Sequence, residues 1–112
     1  MTKVEAIVRI ESVENLVEKL GGLGVNGITK TEVEGHGKQK GIVEQFRGKE
    51  YRLPFIPKIK LEVVVKDLAV DDVIKTIIEC CQTGEIGDGK IFISEIKDAI
   101  RVRTGEKGEI AI

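Results

Sequence analysis

The chain has 112 residues, the size of one compact domain, and two separate cores within it would each be marginal. Apolar residues make up 41% and charged residues 33%, which excludes a disordered chain and allows a buried core under a wetted surface. Lys and Arg number 18 against 19 Asp and Glu, so the net charge of -1 offers nucleic acid no broad positive field.

From the N-terminus, Val4, Ala6, Val8 and Ile10 alternate with a period of two and predict a strand. Val13, Leu16, Val17 and Leu20 then recur at helical spacing, and Gly21-Gly22 reads as the breaker that ends the helix. Another alternating stretch runs from Ile28 to Val33. Leu61, Val63 and Val65 alternate in turn, Val70, Val73, Ile74 and Ile77 repeat the helical pattern, and Ile91 to Ile93 predict a closing strand. The two halves are in register: Val4 matches Leu61, Val13 matches Val70 and Leu20 matches Ile77, each 57 positions on. A strand, helix and strand occurring twice in such a chain predict an α+β, ferredoxin-like double βαβ sandwich with both helices on one face of an antiparallel sheet.

No apolar run approaches the roughly 18 residues of a membrane span, and Met1-Thr2-Lys3-Val4-Glu5 leads straight into the first strand, so a cytoplasmic protein is expected. Cys80 and Cys81 are adjacent, a spacing that rarely allows a mutual bridge, and read as ordinary thiols of which one belongs to the core. His36 is the sole histidine, which rules out a multi-histidine metal site and leaves little for His-based catalysis.

The segments that the repeat does not require are the informative ones. Gly35 to Pro57 is an excursion of some twenty residues, uncommon in a compact domain unless it is functional or mobile. At its start, Gly35-His36-Gly37-Lys38-Gln39-Lys40-Gly41 is either a phosphate cradle of amides and lysines or a solvated turn. Tyr51, the only tyrosine, lies among charges in Arg47-Gly48-Lys49-Glu50-Tyr51-Arg52 and serves either as a contact or modification site or as packing beside Leu53 and Phe55. Thr83 to Lys90 contains three glycines and a lysine. It matches GxxxxGK, but Ile91 and a strand follow where a P-loop needs Ser or Thr and a helix. The segment suits both a nest of amides around an anion and a helix cap at Gly84 followed by an Asp88-Gly89 turn. Arg101-Val102-Arg103, if extended, puts two guanidinium groups on one face, for a polyphosphate or as a solvated basic edge. The tail from 101 to 112 has turn chemistry at Thr104-Gly105-Glu106-Lys107-Gly108.

Thr31 to Gly41, Phe46 to Tyr51, Thr83 to Ile93 and Arg103-Thr104-Gly105-Glu106 together resemble the signatures of the PII nitrogen-regulatory signal-transduction proteins, in order and at the right separations. The resemblance implies a single domain over 1–112 that forms a homotrimer, with a T-loop at about 37–55 between the second and third strands. It implies ATP or ADP in clefts between subunits, the phosphates among Gly37, Lys38, Gln39, Gly87, Asp88, Gly89, Lys90, Arg101 and Arg103, and adenine and ribose around Ile7, Thr29, Gly35, Glu62 and Val64. Mg²⁺ would be ligated by the nucleotide, by Gln39 and by 2-oxoglutarate, which would also meet Lys40, Gly41, Lys58 and Gly87.

The function so implied is not enzymatic. The T-loop would regulate targets such as an ammonium transporter, glutamine synthetase regulatory enzymes or a nitrogenase-linked system, touching a membrane only through a transporter. Tyr51 is a candidate for a nucleotidylyltransferase. The alternative, a small nucleotide-hydrolysing or phosphotransfer enzyme using His36 or Lys90, lacks an obvious base. Some positions depart from the commonest family pattern. Lys38 stands where arginine is frequent, His36 replaces a frequent aromatic residue, Arg9-Ile10 lacks a proline after the first strand, and Lys49 excludes the serine phosphorylation of some cyanobacterial members.

Overall fold

A computed structural model describes residues 1–37, 43–46, 49–52 and 55–112. The elements follow in the order β1 (Thr2–Val8), α1 (Val13–Gly22), β2 (Ile28–Gly35), β3 (Val43–Phe46), β4 (Lys49–Arg52), β5 (Ile56–Val65), α2 (Val70–Cys81) and β6 (Lys90–Glu95). Short 3-10 turns at Ile10–Ser12 and Asp67–Ala69 lead into the two helices.

Period-two alternation in β1 turns Val4, Ala6 and Val8 to one face, and β5 adds Ile59, Leu61, Val63 and Val65 to the same layer. Spacing by four turns Leu16 and Leu20 of α1, and Val73, Ile77 and Cys81 of α2, onto that layer, where they close the core. Cys81 is the cysteine inside, and burial pushes its thiol up to about 11. Acidic residues in the first turns, Glu14 of α1 and Asp71 and Asp72 of α2, complement the helix dipoles.

Among the described residues the sheet order is β2-β5-β1-β6, with every neighbouring pair antiparallel. β1 and β2 are therefore parallel with β5 between them, and β5 and β6 are parallel with β1 between them. This is the ferredoxin-like α+β arrangement that the repeat predicts. The register places Ile7 opposite both Lys60 and Lys90, and Glu62 opposite both Glu5 and Thr29. The face away from the helices carries a ladder of charges, with Lys3 3.4 Å from Glu62 and Lys60 3.8 Å from Glu5.

The repeat runs deeper than its apolar positions. Arg9 and Lys66 both take extended backbone (φ -64, ψ 145 and φ -64, ψ 147), each followed by a 3-10 turn and a helix. α1 ends at Gly22, as the Gly21-Gly22 breaker predicts, and the chain turns at Gly24, whose φ of 87° lets the Val25 N–H reach back to the Leu20 carbonyl at 3.0 Å. Two expectations are corrected. Ile10 does not continue the first strand, because β1 stops at Val8 and Ile10 opens a 3-10 turn. Gly35 to Pro57 is not one long loop, because β2 and β5 both extend into it and β3 pairs with β4 as a separate two-stranded sheet, Val43 opposite Arg52. No helix among the described residues is long and apolar enough to cross a membrane.

Candidate functional site

Past the end of α2, Gln82 is extended (ψ 121) and sends the chain into a turn organised by Asp88. The Asp88 carboxylate accepts the Thr83 N–H at 2.8 Å, the Gly84 N–H at 2.9 Å and a short hydrogen bond from the Thr83 hydroxyl. The Glu85 N–H closes the turn onto Thr83 Oγ1 at 3.1 Å. Gly87 and Gly89 follow at φ 103° and 107°, and a Cβ on Gly89 would lie 1.9 Å from the Ile7 carbonyl oxygen. Only glycine lets the turn come this close to β1.

The hydrogen bonds from Thr83, reinforced by Gly84 and by the charge of Arg9, pull the Asp88 carboxyl down from 3.8 to about 2. A depressed carboxyl stabilises the turn above its ordinary value and stops doing so as pH falls through its folded one. Protection of the Thr83 and Gly84 amides, as the ratio of free-chain to observed exchange rate at each pH, is therefore expected to hold at neutral pH and to fall between about pH 4 and 2. Protection that is flat across that interval would contradict the assignment.

The turn forms one wall of a groove of about 550 Å³ lined by Ile7, Gly35, His36, Gly37, Ile56, Lys58, Ile86, Gly87, Gly89, Lys90 and Phe92. Lys58, on β5, is 8% exposed and donates from Nζ to the Gly87 carbonyl at 2.7 Å. Burial first, and the Arg9 charge second, hold its ammonium below the usual lysine range, with Glu11 and Asp88 opposing. The His36 and Phe55 rings meet at the rim, 5.6 Å apart and tilted by 55°. Two lysines, a glycine-rich run of backbone and an apolar wall suit an anion that carries an apolar portion.

Of the predicted site residues, Ile7, Gly35, Gly37, Lys58, Gly87, Gly89 and Lys90 are brought together here. Asp88 lies on the same turn, but its carboxylate is engaged within the turn. Thr29, Glu62 and Val64 line a second groove, of about 570 Å³, beside Leu23 to Gly27. Arg101-Val102-Arg103 is not extended. Gly105, at φ 74°, donates to the Arg101 carbonyl at 2.7 Å and closes a turn, so the two guanidinium groups do not share a strand face. Arg101 binds the Glu106 carboxylate at 3.0 Å and the Ile110 carbonyl at 2.7 Å, while Arg103 is exposed. Lys38, Gln39, Lys40 and Gly41 lie outside the described residues. Tyr51 is carried by β4 opposite Glu44, with its side chain outside the described part.

Sequence reasoning missed Thr83, Arg9, Ile56, Ile86 and Phe92. A short hydroxyl five positions before an aspartate in a glycine-rich turn was a usable signal for Thr83. Nothing in the pattern marked Arg9, whose partners lie 77 and 79 positions away.

The family described as Nitrogen regulatory protein P-II matches residues 1–106 of this chain. The chain belongs to the P-II family. Among its relatives, Nitrogen regulatory protein P-II of Haemophilus influenzae is 52% identical over 112 residues, covering the whole of both chains. Nitrogen regulatory protein P-II 2 of Methanothermobacter thermautotrophicus is 48% identical, covering all of this chain and 97% of the relative. Nitrogen regulatory protein P-II 1 of Escherichia coli is 47% identical over the full length of both. As a P-II protein the chain is a regulatory protein of nitrogen signalling, not an enzyme. The P-II match takes in both halves of the repeat, the Gly87 to Lys90 turn and Lys58.

Proposed function

We propose that this P-II protein senses adenine nucleotide together with 2-oxoglutarate, and passes the result to target proteins through the segment at about 37–55. The observation that carries this reading is the Lys58 ammonium, largely buried and held against the Gly87 carbonyl beside Lys90. The backbone and Lys90 of the turn suit the phosphates, and Lys58 suits a carboxylate of the second ligand.

The reading includes a homotrimer. Residues expected around one nucleotide divide between two grooves of the chain, and Arg103 stands exposed, an arrangement that two neighbouring copies would complete. Among the described residues no group of three or more His, Cys, Asp or Glu could hold a metal. Mg²⁺ would accordingly be held by phosphate oxygens and the Gln39 amide, an oxygen donor set that suits it. When bound, it would join the phosphates to 2-oxoglutarate, which would tie the second ligand to the first.

Isothermal titration of 2-oxoglutarate with Mg-ATP, with Mg-ADP and without nucleotide tests the scheme. Binding is expected only with Mg-ATP. Nucleotide binding with no 2-oxoglutarate response would leave an energy sensor alone, and an absence of nucleotide binding would remove the whole reading. The targets fitting a P-II protein are an ammonium transporter, regulators of glutamine synthetase and nitrogenase-linked proteins. Tyr51 is the residue that a nucleotidylyltransferase would modify.

A further inference from the structure

Arg9 is the first residue after β1, where extended backbone at φ -64 and ψ 145 turns its side chain off the sheet toward the 83–90 turn. Its Nη2 donates to the Ile86 carbonyl at 3.0 Å, and its Nε lies 3.5 Å from Asp88 Oδ1. The pair is largely enclosed, with side chains 19% and 23% exposed, and the buried Nε makes no hydrogen bond among the described residues. The repeat supplies an internal contrast. Lys66, which occupies the matching position of the second half, meets Glu109 at 3.9 Å with both side chains more than half exposed, the geometry of a weak solvated pair. The first half has an enclosed arginine aimed at the proposed phosphate turn instead.

We propose that Arg9 is a positioning residue for nucleotide binding: it ties Ile86 and Asp88 to the end of β1 and offsets the charge of the Asp88 carboxylate held within the turn that would receive the phosphates. The inference rests on the nucleotide reading above. A turn meant to receive polyphosphate is built around a carboxylate, and that negative charge repels the ligand unless it is offset. The hydrogen bonds from Thr83 and Gly84 spread the charge without cancelling it. Arg9 is the cation the structure pairs with Asp88. It also fastens the turn at a point separate from the Lys58 contact with Gly87, so the turn has a tie that does not depend on Lys58. The unspent Nε donor needs to close only a few tenths of an ångström to complete a hydrogen bond to Asp88.

The test is titration of Mg-ATP into wild-type protein, Arg9→Gln, Arg9→Lys, Asp88→Asn and the Arg9→Gln/Asp88→Asn double variant, with circular dichroism to check folding. Arg9→Gln is expected to bind about tenfold more weakly, the scale of a lost charge-assisted contact. Arg9→Lys keeps the charge without the fork and should stay within about threefold of wild type. The double variant should bind no more weakly than Asp88→Asn alone, because the two residues act as one unit. Wild-type affinity in Arg9→Gln, or losses that multiply in the double variant, would overturn the role. Arg9→Lys carries the test even where Arg9→Gln does not fold, since a tenfold loss there would defeat the charge argument. A wild-type protein that binds no Mg-ATP defeats the nucleotide reading itself, an outcome distinct from any of these.

Discussion

Replacing Gly89 by alanine is expected to lower stability by about 3 kcal/mol and to remove most nucleotide affinity at the same time. The added Cβ would sit 1.9 Å from the Ile7 oxygen, 3.0 Å from the Ile7 carbon and 3.3 Å from the Val8 Cα, all backbone atoms that cannot swing aside. The residue would also be held at φ 107°, outside the range alanine adopts without strain. Relief requires moving the turn off β1, which undoes the last rung of the β1–β6 ladder at Ile7 and Lys90 and draws Gly87 away from Lys58. Gly84→Ala is the control. Its φ is 87°, yet nothing lies within 4 Å of the added carbon, so about 1 kcal/mol of backbone strain is all it should show. Chemical denaturation reads the stabilities and calorimetry the affinities. Equal behaviour of the two variants would show that the close approach of Gly89 is unimportant.

Lys58→Met should separate the two ligands. The ammonium is already largely out of water and is pressed by the positive charge of Arg9, so an incoming carboxylate gains a cation whose dehydration has mostly been completed beforehand. Removing that charge is expected to weaken 2-oxoglutarate binding by about a hundredfold, the upper part of the range for charge-assisted hydrogen bonds. Mg-ATP affinity should change by no more than a few-fold, because the backbone and Lys90 of the turn remain. Folding stability should fall by about 1 kcal/mol, since methionine fills a similar volume but cannot donate to the Gly87 carbonyl. Titration of each ligand separately decides the matter. Undiminished 2-oxoglutarate affinity in Lys58→Met would mean that the carboxylate is held elsewhere.

The parts of this molecule legible in its sequence are those governed by periodicity. The 57-residue offset located β1, α1, β5 and α2, because burial on one face imposes the same spacing in both halves. Local turn geometry was harder to read. Gly21-Gly22 closes α1, but the left-handed turn that follows is made by Gly24, which the helical pattern does not mark. The β3–β4 pair carries no clean alternation in Val43–Phe46 or Lys49–Arg52, so a period of two does not mark it. The extended conformation expected of Arg101-Val102-Arg103 gives way to a turn closed by a left-handed Gly105. In the site itself, residues on the glycine-rich turn and Lys58 could be named from motifs, whereas Arg9 acts through partners far along the chain, and no short pattern encodes such a distance.

The strand order also bears on how the molecule comes into being. When β1, α1 and β2 have been synthesised, the two strands cannot pair, because the place between them belongs to β5, and β1 must also await β6. A nascent chain therefore leaves both edges of β1 open until β5 has left the ribosome, and the edge that β6 covers open until about residue 95. The last ladder to close, β1 with β6, joins the two ends of the sequence, a non-local pairing of the kind that slows folding.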